Sequence, residues 1–310
     1  MKVQRYMLHS PFMGDSRGVL TLAFGGAAYV RMAVDMARAI RLRDATTPLA
    51  VVTDLDAALF CGMFEHVVQW KHDYASYYEC KFDLGAMSPF DETLFIDSDC
   101  MVLRPLSKIF ELFVGHDFSV AGQNVKTPWW FRAPEKIRAH LPRDFYPGFN
   151  GGLFYFRRSA RATAVFDRAR SLVSEYDVLG FERLPGGAIN DEPLFSLAMA
   201  EIGCSAVENA RHDIMYGPRL QPFEVDVLAG RCTMERNGRM VQPMICHFEG
   251  ADKHRYAYAR ECVRVAARTR LGELPRWLEP AVRAYALAVW LIQRMAVRVG
   301  RLRKKIGGQI

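Results

Sequence analysis

Residues 18–54 carry the pattern that most limits the fold of this chain. The apolar run GVLTLAF ends in a Gly-Gly pair, and residues 27–43 then place apolar side chains at helical spacing. The run LAVVTD, residues 49–54, is a second apolar stretch that ends in Asp54. A strand, a helix and a second strand in this order predict parallel strands joined by a crossover helix, and therefore an α/β fold.

Apolar runs continue this alternation as far as about residue 275. Residues of high β-propensity predict further strands at 66–70, 92–103, 118–121, 152–156 and 244–248. Helical spacing predicts helices over 78–86 and 160–175, and another that begins near Glu192. Because no repeat or low-complexity linker interrupts residues 1–275, we expect one domain over this range.

Charge and cysteine content narrow the class of protein. The formal net charge is +7, which suits an anionic partner such as a nucleotide-linked substrate, an acidic membrane surface or nucleic acid. The seven cysteines are odd in number and include no C-x-x-C pair, which argues against a disulfide framework and against a cysteine zinc site. With no apolar run before Gly18 long enough for a signal peptide, we expect a cytoplasmic protein.

Two aspartates, Asp97 and Asp99, follow an apolar β-run in the stretch ETLFIDSDCMVL. A buried, ionised carboxylate needs a compensating charge. Side chains two residues apart on an extended segment point the same way, so the pair can bind one hard divalent cation. The alternative is that Asp97 caps a turn and Asp99 is solvated; the position directly after a β-run favours the metal site.

Two further motifs precede predicted core elements. FNGGLFYF places Asn150 and Gly151 before a strand, which suits either a close approach of the backbone to a ligand or a plain turn. GGAINDEPLF places Asp191 and Glu192 at the start of a helix, with Asn190 as a candidate N-cap. Stabilisation of the helix terminus and a catalytic role for one carboxylate are equal alternatives here.

The stretch MICHFEGADKH carries His247 after an apolar β-run, then Gly250 and Lys253. A single histidine is usually not a metal ligand. Imidazole nevertheless suits manganese as well as zinc, and a lysine six residues further on could bind a phosphate.

Taken in order, IDSD, FNGG, NDEPLF and H-F-x-G-x-x-K resemble the motifs of the GT-A nucleotide-sugar glycosyltransferases. Within them, the set resembles the glycogenin-like family 8, which includes bacterial lipopolysaccharide galactosyltransferases; the resemblance covers residues 18–260. It implies a Rossmann-like mixed sheet flanked by helices. It also implies metal-dependent transfer of a hexose, with retention, from a UDP-linked or other nucleotide-diphosphate sugar to a hydroxyl of a glycan or lipid-linked saccharide.

The resemblance assigns roles to the candidate residues. The metal, Mn²⁺ or Mg²⁺, would be bound by Asp97, Asp99 and His247. The donor would be bound by Tyr29, Lys81, Gly250 and Lys253, with the tyrosine stacked on the nucleobase and Gly250 and Lys253 at the diphosphate. Asp54, Asn150 and Gly151 are further candidates for donor binding, because Asp54 ends a predicted strand and the FNGG turn lets the backbone approach a ligand. The carboxylates of Asp191 and Glu192 would face the anomeric carbon and are the candidate catalytic residues.

Two departures from the family pattern stand out. Relatives have acidic residues ahead of the tyrosine, where this chain reads Gly-Gly-Ala-Ala. Relatives often read Asp-Gln where this chain has Asp191-Glu192, so this chain places an additional charged group at the donor-sugar site.

The last 35 residues form a separate segment, 276–310, with the pattern of a basic amphipathic helix. From Pro280 onward, a spacing of 100° per residue puts five cations on one face: Arg283, Arg294, Arg298, Arg301 and Lys305. The longest apolar run, AYALAVWLI, is too short to span a bilayer. We expect either peripheral attachment to an anionic membrane, on its inner face, or a helix packed on the catalytic domain.

Three other functions compete with glycosyl transfer. Phosphatases of the haloacid-dehalogenase type also use D-x-D after a strand, but they have a threonine two residues on, where this chain has Met101. A non-catalytic, anion-binding protein with the same fold is a second alternative. Nucleic-acid binding ranks lowest, because the basic residues are concentrated in the tail rather than interleaved with aromatic residues.

Overall fold

The computed structural model describes residues 17–60, 62–70, 77–127 and 145–307, with side chains for 17–60, 62–70, 78–127 and 145–295. The chain divides into two compact units. The first comprises the described parts of Met1–Val34, Thr46–Ser98 and Leu106–Met215. The second comprises the described parts of Asp35–Ala45, Asp99–Pro105 and Tyr216–Ile310.

The strands alternate with helices through most of the chain. They are β1 (Arg17–Ala23), β2 (Leu49–Thr53), β3 (His66–Gln69), β4 (Glu92–Ile96), β5 (Cys100–Val102), β6 (Phe118–Val125), β7 (Tyr146–Arg157), β8 (Val207–Glu208), β9 (Met215–Tyr216), β10 (Phe223–Asp226), β11 (Arg231–Arg236), β12 (Arg239–Val241) and β13 (Ile245–His247). The α-helices are α1 (Ala27–Arg41), α2 (Leu84–Met87), α3 (Leu106–Leu112), α4 (Ala160–Ser171), α5 (Asp191–Ile202), α6 (Asn209–His212), α7 (Tyr256–Leu271) and α8 (Glu279–Gly307).

The first unit is built on a seven-stranded sheet of order β3-β2-β1-β4-β7-β6-β8. Strands β1, β2, β3 and β4 run parallel, as the β-α-β pattern predicts. Strand β7 is antiparallel to both of its neighbours, and this makes the sheet mixed. The predicted α/β class is therefore confirmed.

Aromatic side chains hold helices α4 and α5 on the sheet of the first unit. Phe195 of α5 packs on Phe154 of β7 with ring centroids 4.9 Å apart, and it stacks on Phe118 of β6 at 5.8 Å. Phe166 of α4 meets Phe118 and Phe195 edge to face. These fully or nearly buried rings fix the start of α5, which carries Asp191 and Glu192.

The predicted strand over 92–103 is divided in the structure. Strand β4 ends at Ile96 and β5 begins at Cys100, while Ser98 and Asp99 form a turn between them. The pair Asp97 and Asp99 is therefore not on an extended segment, and the argument from side-chain alternation was wrong. The predicted helix over 78–86 is also different, since a 3₁₀ helix, Tyr77–Asp83, precedes the short α2.

The second unit contains a three-stranded antiparallel sheet, β10-β11-β12, and the antiparallel pair β5 and β13. Ring contacts join the segment after β13 to α7, because Phe248 lies 4.8 Å from Tyr258 between centroids. Arg264 of α7 forms ion pairs with Glu261 and with Glu279, the first residue of α8. Among the described residues, no helix combines the length and apolar composition needed to cross a membrane.

Candidate functional site

The first unit buries an ammonium group among carboxylates. Lys81, at the end of the 3₁₀ helix, lies with its Nζ 3.1 Å from Asp97 Oδ2 and 3.4 Å from Asp191 Oδ2. The same nitrogen donates to the carbonyl of Gly151 at 2.7 Å. We call Lys81, Asp97, Gly151, Asp191 and Glu192 the Lys81 cluster.

Burial sets the electrostatics of the Lys81 cluster. Lys81 and Asp191 are 7% and 3% exposed, and the ammonium lies over the rings of Phe95 and Phe154, 5.4 and 5.8 Å from their centroids. Burial alone would lower the pKa of Lys81, but the charges of Asp191 and Asp97 outweigh it and raise that pKa. Burial raises the pKa of Asp191, against the opposing effect of Lys81. Each charge in the cluster therefore depends on its partners.

Gly151 allows a close approach that a larger residue would prevent. A Cβ atom at this position would lie 3.0 Å from Asp191 Oδ2 and 3.3 Å from Lys81 Nζ. Asn150 supports the turn, because its Oδ1 accepts from the N–H of Gly152 at 3.1 Å. Glycine in FNGG therefore gives the backbone close access to the charged side chains of the cluster; its predicted approach to a ligand stays a prediction.

Helix α5 presents its two acids in different ways. Asn190 is the N-cap, and its Oδ1 accepts from the backbone N–H of Glu192 at 3.1 Å. The Glu192 carboxylate accepts from the N–H of Gly151 at 2.8 Å, whereas Asp191 Oδ2 has no hydrogen-bond donor among the described residues. The predicted N-cap at Asn190 is therefore confirmed, and both acids lie in the first turn, where the helix dipole favours negative charge; Asp191 also faces the ammonium of Lys81.

The second unit contains another group of charged side chains. His247 Nε2 lies 3.0 Å from Asp99 Oδ1, and Lys253 Nζ lies 3.4 Å from Asp99 Oδ2. The peptide N–H of Phe248 donates to the carbonyl of Asp99 at 3.1 Å, which fixes the two segments together. We call Asp99, Cys100, His247 and Lys253 the Asp99 cluster.

The cations around Asp99 favour its ionised form. Burial alone would raise the pKa of Asp99, but His247 and Lys253 outweigh burial and lower it to about 2. Gly250, with a φ of 57°, makes the turn between His247 and Lys253. A glycine adopts this left-handed conformation without strain. The chain can therefore turn after His247, and Lys253 lies close to Asp99.

The Asp99 cluster offers ligand atoms to a metal. One atom each from Asp99, Cys100 and His247 lies within 4.8 Å of the others. Two of these donors, the carboxylate oxygen of Asp99 and the imidazole nitrogen of His247, suit Mn²⁺, whereas Asp97, the third predicted ligand, is not in this group and lies 3.1 Å from Lys81 Nζ. Cys100 was not among the predicted ligands. Its proximity follows from the pairing of β5 with β13, where it lies opposite His247, and no sequence motif marks it.

Two predicted donor-binding residues lie near the end of the first strand-helix turn. Tyr29, in the first turn of α1, is 39% exposed. Asp54 follows β2, and its Oδ1 accepts from the N–H of Gly25 at 3.1 Å. Gly25 and Gly26 have φ values of 78° and 155°, conformations that favour glycine over residues with a side chain.

Comparison with known proteins shows likeness in structure rather than in sequence. No protein-family model matches the chain, and no curated protein matches it significantly. Many solved structures do match. The galactosyltransferase LgtC, in a complex with donor and acceptor sugar analogs, is 13% identical with a TM-score of 0.54, and the match covers 85% of this chain and 99% of that chain.

This chain has the GT-A fold. The bifunctional glycosyltransferase WbbM in its apo form is 10% identical with a TM-score of 0.52, over 88% of this chain and 52% of that chain. The glycosyltransferase GlyE from Streptococcus pneumoniae is 14% identical with a TM-score of 0.50, over 91% and 65%. The prediction of a GT-A fold from four short motifs is confirmed.

Proposed function

We propose that this protein is a metal-dependent glycosyltransferase. It transfers a hexose, with retention, from a UDP-linked or related nucleotide-diphosphate sugar to a hydroxyl of a glycan or lipid-linked saccharide. The observation that carries the proposal is the 3.0 Å contact between Asp99 and His247, residues far apart in sequence, on the fold seen in LgtC.

In this proposal Asp97, Asp99 and His247 hold Mn²⁺ or Mg²⁺. A divalent cation bound there would act as a Lewis acid for the diphosphate leaving group. Lys253 supports the same role, because its ammonium adds positive charge beside Asp99. Gly250 lets the backbone turn toward the diphosphate without a side chain in the way.

The Lys81 cluster supplies negative charge, in contrast to the positive charge of the proposed metal site. Breaking the bond between the anomeric carbon and the diphosphate oxygen leaves positive charge on the sugar ring. Asp97, Asp191 and Glu192 give three carboxylates for the single ammonium of Lys81, so the fully ionised cluster carries excess negative charge. Asp191, whose Oδ2 faces the ammonium of Lys81, is the carboxylate that we propose stabilises the ring.

Glu192 has a second role in the proposal. Its carboxylate accepts from the N–H of Gly151, so it holds the FNGG turn against the helix start. A glutamine could accept the same hydrogen bond but would add no charge. Asn150, Asp54 and Tyr29 are proposed to contact the donor at the sheet edge, with the half-exposed tyrosine ring available to stack on a base.

The test is product formation with a panel of nucleotide sugars. Wild-type protein should release nucleotide diphosphate from one donor, with Mn²⁺ and not with EDTA, and Asp191→Asn should reduce the rate by about 100-fold or more. Asp177→Asn, an exposed aspartate paired with Arg183, is the matched control. Equal turnover in EDTA, or in Asp191→Asn, would contradict the proposal.

We also propose that α8 attaches the protein to an anionic membrane surface. Val282 and Ala286 pack inward, and Trp290 Nε1 donates to the carbonyl of His254 at 2.8 Å. The opposite arc of the helix exposes large apolar side chains: Tyr285, Leu287, Leu291, Ile292 and Met295. At 100° per residue, Arg283 and Arg294 lie at the border of this arc. Helices that lie in a membrane interface combine an apolar face with basic residues beside it in the same way. The division into a catalytic domain, 1–275, and this segment, 276–310, belongs to the same proposal.

Vesicle sedimentation tests the membrane proposal. Full-length protein should sediment with phosphatidylcholine vesicles that contain phosphatidylglycerol, and the double variant Leu291→Ser/Ile292→Ser should remain in the supernatant. Val178→Ser, an exposed apolar residue of the first unit, is the control. Sedimentation of the double variant at the wild-type level would contradict the attachment.

A further inference from the structure

Cys100 occupies a defined place beside the proposed metal ligands. It is the first residue of β5 and pairs with His247 of β13 in the antiparallel register. Residues directly opposite each other in an antiparallel pair project to the same face of the sheet. The thiol and the imidazole therefore lie side by side, and Asp99 Oδ1 lies 3.0 Å from the same imidazole.

The distances suit a shared ion. The Cys100 sulfur, a His247 ring nitrogen and an Asp99 oxygen are all within 4.8 Å of one another. Zinc–sulfur and zinc–nitrogen bonds of about 2.3 and 2.0 Å place two ligands of one ion about 3.5 Å apart at a tetrahedral angle.

The protein environment also favours ligation by this thiol. Cys100 is fully buried and His247 is 5% exposed, so water does not compete freely for the ion on this side. The site therefore combines one soft donor, the thiol, with two harder donors, the imidazole and the carboxylate. Thiolate selects zinc and cobalt(II) over manganese, whereas carboxylate and imidazole alone accept all three.

We propose that Cys100 is a metal ligand and gives this site a preference for thiophilic divalent cations, Zn²⁺ and Co²⁺, over Mn²⁺. The proposal rests on the metal site of the proposed function and extends it to one more ligand. When the ion binds, the thiol releases its proton to solvent and the thiolate sulfur donates to the metal. The nearest cysteine in the partner strand, Cys246, alternates to the opposite face from His247 and is not a ligand.

Cobalt(II) absorption tests the proposal on the full-length protein without any activity measurement. Co²⁺ added to the metal-free wild type should give visible d–d bands together with an intense near-ultraviolet band from sulfur-to-cobalt charge transfer. Cys100→Ser should lose the near-ultraviolet band, keep the d–d bands, and bind Co²⁺ and Zn²⁺ at least about 10-fold more weakly. Its Mn²⁺ affinity should change by less than about threefold.

Cys246→Ser is the matched control, since it is equally buried and precedes His247. It should retain the wild-type spectrum. Wild-type d–d bands without charge transfer, or a charge-transfer band that survives Cys100→Ser, would overturn the role of Cys100 and leave the metal site intact. No cobalt binding at all would overturn both, and this outcome depends on the wild type alone, whether or not Cys100→Ser folds.

Discussion

The Lys81 cluster and the Asp99 cluster treat the two acids of one D-x-D motif differently. Asp97 pairs with a buried lysine that also contacts Asp191 and the carbonyl of Gly151. Asp99 pairs with an imidazole and with Lys253, whose side chain is 28% exposed. Asp97 therefore lies beside a buried cation, whereas Asp99 belongs to a group of three residues that offer ligand atoms. The two acids of such a motif are therefore not interchangeable.

The pKa directions of one buried acid in each cluster, Asp191 and Asp99, also differ. In the Lys81 cluster burial dominates at Asp191 and raises its pKa. In the Asp99 cluster the neighbouring cations dominate and lower the pKa of Asp99 to about 2. Asp191 therefore lies in a site that disfavours its ionised form, and Asp99 lies in a site that favours its ionised form.

Removing Lys81 should produce the largest effect on stability. Lys81→Met leaves the buried Asp191 without its cation, and loss of one partner of a buried pair costs about 3 to 5 kcal/mol in the free energy of unfolding. Urea unfolding measures this cost. The double variant Lys81→Met/Asp191→Asn should recover a large part of it.

Arg183→Met is the control, because it breaks a solvent-exposed pair with Asp177 and should leave the free energy of unfolding close to that of the wild type. Equal losses for Lys81→Met and Arg183→Met would show that the Lys81 cluster is not a buried network.

Changes in the Asp99 cluster should lower Mn²⁺-dependent turnover while the protein stays folded. Asp99→Asn and His247→Gln each remove a proposed ligand atom, so Mn²⁺-dependent turnover should fall by about 100-fold, or about 2.7 kcal/mol. Circular dichroism should remain native. The exposed Glu235→Gln, also in the second unit, should retain wild-type turnover. A wild-type response to Mn²⁺ in Asp99→Asn would remove the distinction between the clusters.

Gly151→Ala tests the close packing of the Lys81 cluster. The added methyl group would lie 3.0 Å from Asp191 Oδ2, so the variant should lose about 1 to 3 kcal/mol in thermal or urea unfolding. Asp191→Ala removes the atom that is crowded. The cost of Gly151→Ala should therefore be smaller in the Asp191→Ala background, and a cost that is unchanged there would argue against this contact.

Acid titration of the metal-free protein should separate the two clusters by sign. Asp99 has a folded-state pKa below its unfolded value of 3.8, so its contribution is complete above that value and is lost as the pH falls toward about 2. This contribution of Asp99 to the free energy of unfolding is about 2 kcal/mol. Asp191 has a raised pKa, so protonation on acidification should instead favour its folded state.

Unfolding curves at several pH values between neutrality and acid would measure both contributions. In Asp99→Asn the free energy of unfolding should fall less steeply with decreasing pH than in the wild type. In Asp191→Asn it should fall more steeply. The same slope change in both variants would contradict the opposite pKa directions.

Local pattern was enough to predict much of the fold. The β-α-β unit, the cap at Asn190 and the strand that carries His247 all follow from short-range propensity. Each of them depends on residues a few positions apart. The motif resemblance then predicted the GT-A fold that the structural comparison confirms.

What the sequence could not provide is long-range register. The pairing of Cys100 with His247 depends on how β5 and β13 align, and either residue alone gives no signal. The same limit applies to Lys81, which reaches Asp191 only because the sheet and α5 bring residues 81 and 191 together. The turn at Ser98 and Asp99 was missed because runs of apolar residues, ETLFI and CMV, lie on both sides of it.

A thermal-shift matrix of nucleotide sugars with and without Mn²⁺ tests the central claim most directly. If the cation at Asp97, Asp99 and His247 holds the donor diphosphate, one nucleotide sugar should raise the melting temperature of the wild type only when Mn²⁺ is present, and should not do so in Asp99→Asn. A shift of equal size in EDTA, or in Asp99→Asn with Mn²⁺, would contradict it.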